Sequence, residues 1–188
     1  MVSKPGEKGR IRFGLTAIKN VGEHICEVIY QERKTRGRYT SLENLLERID
    51  DKDLNKKSLE SLAQAGALDT FGFDRGLLLS NSENILGFLR QHRERKITNQ
   101  NSLFSGTSIA LDAKVTLKPA PEATLDQKLK WEKDLLGIYL SSHPFAFYES
   151  QMKGKLTMLA DVEHAARDMW VVSGGVVAAL KKKITKKG

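Results

Sequence analysis

Leu15-Thr16-Ala17-Ile18-Lys19-Asn20-Val21-Gly22-Glu23-His24-Ile25-Cys26-Glu27-Val28-Ile29 is the stretch that decides the fold. It reads as an apolar helix end, a turn containing Val21 and Gly22, and a second apolar helix: a helix-hairpin-helix pattern. So tight a turn predicts that Gly22 adopts a backbone conformation a side chain would oppose, and that the backbone there lies open to a partner. Free amides at the start of the second helix, aided by the helix dipole, suit a phosphate oxygen. Lys19 stands beside them and adds a charge. The pattern usually has glycine where Asn20 stands, and asparagine tolerates the left-handed conformation better than most residues. Lys19, Asn20, Val21 and Gly22 are therefore the candidate DNA-binding residues, set against a plain helix-turn-helix packing corner.

Further short helices follow. Val21, Ile25, Val28 and Ile29 repeat at helical spacing and stop before Gly37. Thr40 precedes Glu43 in a capping-box arrangement that leads into Leu42, Leu45, Leu46 and Ile49. Asn55 suits the cap of the next helix, which carries Leu59, Leu62 and Ala63 and ends at Gly66. Another begins near Asp74 and presents Leu77, Leu78, Ile85, Phe88 and Leu89. Leu59 to Leu68, closing on Gly66 before that helix, reads as a second and looser hairpin. Two hairpins related by a pseudo-twofold axis would hold both strands of a duplex by backbone contacts alone, which position a protein without reading sequence. Gly66 joins the candidates on that ground.

Periodicity fades from Ile97 to Thr124, a length that points to a functional segment or a linker. Order returns where Thr124 and Gln127 form another capping box, ahead of Leu125, Leu129, Leu135, Leu136 and Tyr139, with Pro144 marking the end. Val171, Val172, Val176 and Val177 flank Gly174 and Gly175, which suggests a bent strand. Lysine and arginine outnumber acids 31 to 23 over 188 residues, a net charge of +8 that favours a polyanionic partner. The longest apolar stretch is too short to span a membrane, and the N-terminus has no apolar core of a secretory signal. The lone Cys26 excludes an internal disulfide and fits a reducing, cytoplasmic setting.

Three strings carry a family resemblance: Ile11-Arg12-Phe13-Gly14-Leu15-Thr16-Ala17-Ile18-Lys19-Asn20-Val21-Gly22; Leu54-Asn55-Lys56-Lys57 with Leu59-Glu60 and Ala65-Gly66-Ala67-Leu68-Asp69; and Trp131-Glu132-Lys133-Asp134-Leu135-Leu136-Gly137-Ile138-Tyr139-Leu140-Ser141-Ser142-His143-Pro144. In this order they resemble the bacterial DNA polymerase III alpha subunit, in which Asn20 is the usual residue. The resemblance implies a mainly α fold in four parts. Residues 1–96 would form a tandem helix-hairpin-helix DNA-binding domain, and 97–124 a linker. A helical connector over 125–165 would lead to the first strands of a truncated OB-fold over 166–188. It implies duplex DNA and other polymerase III holoenzyme subunits as partners. Gln100-Asn101-Ser102-Leu103-Phe104 resembles that family's clamp-binding pentapeptide, with Gln100 on the rim of an apolar pocket and Leu103 and Phe104 inside it. The polymerase palm and its Mg2+ ligands, also implied by the family, are not in this stretch, so no catalytic residue, metal or cofactor is expected here.

Asp51-Lys52-Asp53 resembles the paired carboxylates of a two-metal site, but it lies just before Asn55, where acids favour a helix start. His24, His92, His143 and His164 have no Cys or His partner at ligand spacing. Arg90, Arg93, Arg95 and Lys96 form a basic run that reads as a solvated helix end or a phosphate contact. A base-excision glycosylase would want an aspartate soon after the hairpin, and residues 24–48 contain none. A structural spacer without DNA contact is the remaining alternative.

Overall fold

A computed structural model describes residues 13–97, 114–152, 154–157, 159–162, 164, 168–177 and 179–181. The chain divides into two compact units, Met1–Tyr139 and Leu140–Gly188.

In the first unit a single 3₁₀ turn, Leu15–Ala17, precedes α1 (Glu23–Arg36). The first arm of the hairpin is thus one turn among the described residues, shorter than the expected helix end. Ile25, Cys26 and Ile29 bury the inner face of α1, as the i, i+4 spacing requires. In α2 (Leu42–Arg48) the cap is Ser41, whose side chain accepts from the Asn44 amide. This corrects the expectation of Thr40, whose own amide donates to the Asn44 side chain at 3.3 Å. Arg48, at the end of α2, donates to the carbonyls of Glu32 and Gly37, the latter at the C-cap of α1, where carbonyls lack a helical partner. Its guanidinium also lies 4.3 Å from the centre of the Tyr39 ring.

Helix α3 (Lys56–Gln64) starts from a reciprocal capping box between Asn55 and Ser58. It stops because Gly66 takes φ +79°, the left-handed region that favours glycine. The Ala67 and Gly66 amides then reach back to the Leu62 and Ala63 carbonyls at 2.9 and 3.1 Å, the bond pair of a Schellman stop. A 3₁₀ turn, Asp69–Phe71, leads to α4 (Arg75–Ser80), followed by α5 (Ser82–Ile97). The sequence pattern suggested one helix here. It is split at the buried Asn81, whose side chain bonds both the amide and the carbonyl of Lys118, at 2.7 and 2.9 Å.

Helix α6 (Leu125–Leu136) begins at the expected Thr124–Gln127 capping box and ends at Gly137. It packs on α3, as do α4 and α5, and Leu135 is buried in the same core as Ile18, Leu59 and Leu62. Helix α6 therefore belongs with the hairpins, where a separate connector starting at residue 125 had been expected. Residues 114–124 are likewise strapped to this unit: the Val115 amide donates to Glu43 and the Ala123 amide to Asp74. The strap showed no helical periodicity because it is extended, with Val115 and Leu117 packed against the core.

Asp74 fastens the strap. It caps α4 through the Gly76 amide at 2.7 Å, and it pairs with Lys128 of α6 at 2.7 Å. Burial alone would raise its carboxyl, but the Lys128 ammonium and the Ala123 and Gly76 amides outweigh that and hold it at about 2, against an ordinary 3.8. A folded-state value below the unfolded one stabilises the fold above pH 3.8, and that contribution disappears as pH falls through about 2. The shift corresponds to about 2 kcal/mol, with modest screening because the side chain is 15% exposed. Acid titration of the urea midpoint should therefore show a loss between about pH 4 and 2 in the wild type that Asp74→Asn lacks. Parallel acid limbs would remove Asp74 from this role.

The second unit contains α7 (Ala146–Gln151) and α8 (Leu159–Val162). Residues 169–177 run without helix, and no strand forms among the described residues. The Thr157 amide donates to the Val172 carbonyl at 2.7 Å. Gly174 lies so close under the Phe145 ring that an added Cβ would come within 2.5 Å of it. The bent strand suggested by the glycine pair does not form among the described residues. Trp170, Val172, Val177 and Leu180 are exposed.

Candidate nucleic-acid interface

The hairpin tip joins two buried anchors, Ile18 and Val21, to three exposed positions, Lys19, Asn20 and Gly22. The anchors fix the turn on the core. The Lys19 amide donates to the Leu135 carbonyl of α6 at 3.1 Å and the Val21 amide to Ile18 at 3.2 Å. Asn20, at φ +66°, carries the left-handed bend, and its side-chain amide lies 3.4 Å from the Ser61 hydroxyl of α3. Gly22 has an ordinary extended backbone at φ −67°, ψ 152°. The expectation that Gly22 supplies the unusual conformation is therefore corrected: Asn20 bends the chain. What Gly22 provides is room, since nothing lies within 4 Å of where its Cβ would stand. No side chain caps α1, and Lys19, Gly22 and His24 around its start are exposed.

Acids flank this tip. Glu23 is exposed in the first turn of α1. His24 Nε2 lies 2.9 Å from Asp51 Oδ2, and the donor atoms of His24, Asp51 and Asp53 all fall within 4.8 Å of one another. The Asp53 amide, followed by His24 and Arg93, holds the Asp51 carboxyl below the usual carboxylate range against the opposing effect of burial. These bonds account for the cluster as a hydrogen-bonded contact closing the α2–α3 loop onto α1. It was invisible in sequence because His24 and Asp51 are 27 residues apart.

The second hairpin differs. An added Cβ at Gly66 would meet the Arg75 guanidinium at 2.3 Å, so the space over this glycine is filled by the chain's own side chain. Arg75 bonds Asp69, the Gln64 carbonyl and Glu132 of α6, the last at 3.0 Å. The start of α4 is capped by Asp74 and lies against Pro121 and Ala123. The start of α4 is thus covered by the chain's own groups, whereas no side chain caps the start of α1. Among the basic run, Arg93 is engaged with Asp50 and the Asp51 carbonyl, and Arg90 is exposed. Gln100, Leu103 and Phe104 lie outside the described residues. No helix among the described residues is long and apolar enough to cross a membrane.

Residues 2–78 match the family model described as a helix-hairpin-helix motif. Over 182 residues the chain is 35% identical to the DNA polymerase III subunit alpha of Thermus aquaticus, covering 95% of this chain and 14% of that protein. It is 31% identical over 182 residues to the subunit from Treponema pallidum, covering 96% and 16%. With the Aquifex aeolicus subunit the identity is 34% over 184 residues, covering 96% and 14%. The chain thus spans about one-seventh of the length of these curated relatives.

Proposed function

The chain belongs to the DNA polymerase III alpha-subunit family, of which it spans one segment, and from that premise we propose that it grips duplex DNA and docks a sliding clamp without catalysing nucleotide transfer. The observation that carries the DNA half is the uncapped start of α1 behind a side-chain-free Gly22, with Lys19 alongside. Amides there meet a phosphate oxygen directly, and the helix dipole adds to the attraction. Gly66 serves a different purpose in this reading: it ends α3 and admits Arg75. The Mg2+ of polymerase chemistry would be held elsewhere in such an enzyme, and residues 166–188 would contribute to an OB-fold.

The test turns on what Gly22 tolerates. An aspartate there would adopt the same ordinary backbone, cap α1, and stabilise the fold by a few tenths of a kcal/mol. The same carboxylate would repel a phosphate, weakening duplex binding about ten-fold or more. Lys19→Ala should lower the slope of log affinity against log salt by about 1. Titration of labelled primer-template duplex at two salt concentrations measures both. Wild-type affinity in Gly22→Asp would end the amide-contact reading.

A spacer role has two observations in its favour: the Lys19 amide is already bonded to Leu135, and Glu23 is acidic where phosphate would sit. Duplex binding absent from the wild type at low salt would select it.

A further inference from the structure

Beside the second half of α1, and lined also by Phe13 and Leu15 from the first arm of the hairpin, lies an open hollow of about 470 Å³. Phe13, Tyr39 and Phe71 supply aromatic walls, and Leu45 and Leu62 form part of its apolar lining. Arg33 and Arg38 also line it. Both arginines are exposed, and neither makes an ion pair among the described residues. Their neighbours behave differently: Arg36 pairs with Glu32, and Arg48 is committed to Glu32 and the backbone. The wall is preformed, since the Tyr39 hydroxyl donates to the Ile29 carbonyl at 2.8 Å and its ring is backed by Arg48.

We infer that this hollow is a docking site for an acidic peptide segment of a protein partner, one that seats an aromatic or large aliphatic side chain between Phe13, Tyr39 and Phe71 and its carboxylates on Arg33 and Arg38. Its size falls within the range of small-ligand pockets, and a lining of aromatic and aliphatic side chains with two arginines suits an apolar anchor beside negative charge. A nucleic-acid strand fits less well, because it lays successive bases along a charged groove, whereas the three rings here line one hollow. Gly22 is not among its lining residues.

The experiment is a selection from a random peptide library on the intact 188-residue chain, followed by fluorescence polarisation of the enriched peptides. Acidic peptides with one aromatic or large aliphatic residue should emerge. Arg33→Glu with Arg38→Glu should weaken them at least ten-fold. Thr70→Trp, which places bulk in the hollow from its exposed lining, should do the same, with circular dichroism unchanged in each. Four results would overturn the inference: no enrichment, peptides that ignore both variants, displacement by a single-stranded oligonucleotide at equal concentration, or binding that appears only after residues 1–12 are deleted. The last would make the occupant the chain's own N-terminal segment.

Discussion

Arg75→Ala is expected to lower the stability of the helical unit by about 3–5 kcal/mol, the cost of leaving a buried charge without its partner. Glu132 is fully buried and Arg75 nearly so, and their 3.0 Å contact joins α4 to α6 across 57 residues of sequence. The same guanidinium satisfies the Gln64 carbonyl near the end of α3 and fills the space over Gly66. Truncation therefore removes three ties at once: between α3, α4 and α6. The Asp69 pair contributes less, because Asp69 is 47% exposed and exposed pairs are weak. Replacing both partners, Arg75→Met with Glu132→Leu, should recover much of the loss, since an apolar pair of similar volume avoids the cost of burying two charges. Urea midpoints read by circular dichroism give all three values. A single variant within about 1 kcal/mol of the wild type, the usual range of exposed pairs, would show that Arg75 is not the fastener described.

Local signals in the sequence were strong where chemistry is local. Asn55–Ser58 and Thr124–Gln127 cap helices because their partners lie three residues on, and Gly66 stops α3 because only a residue free of Cβ strain adopts its φ readily. The same local reading went astray at Thr40, since Ser41 stood one position along with an equally suitable hydroxyl. At Gly22 it went astray for a different reason. Glycine signals either an unusual φ or the need for open space, and sequence alone does not separate the two. The structure assigns the bend to Asn20 and the space to Gly22. Long-range pairings left no trace in periodicity. Asn81 with Lys118, Arg75 with Glu132, and the Lys19 amide with Leu135 span 37, 57 and 116 residues, and each decides where an element sits. The candidate site was thus legible as a tip, while the reason α6 stands behind that tip was not.

Leu103→Ala combined with Phe104→Ala is expected to abolish clamp binding while duplex affinity stays within about two-fold, too small a change to signal a lost contact. The reading rests on Gln100-Asn101-Ser102-Leu103-Phe104 and its resemblance to the family's clamp-binding peptide, set in the stretch between α5 and the strap. Each apolar side chain contributes roughly 1.5–3 kcal/mol when fully buried, so losing both weakens a pocket contact by more than about a hundred-fold. Ordering the peptide consumes part of its binding energy, which leaves the wild-type contact on the order of micromolar. A hundred-fold loss from there is undetectable in an ordinary titration. Gln100→Ala should cost less, because a rim hydrogen bond contributes about 1 kcal/mol net. Gly22→Asp supplies the reciprocal control: it should lose duplex and keep the clamp. Where clamp and primer-template are present together, each weak tether raises the effective concentration of the other. Either variant should then weaken the ternary assembly by more than its effect on one partner alone. Clamp titration against the Leu103/Phe104 double variant decides the matter: unchanged affinity would mean that these two side chains pack on their own chain and that any clamp contact lies elsewhere.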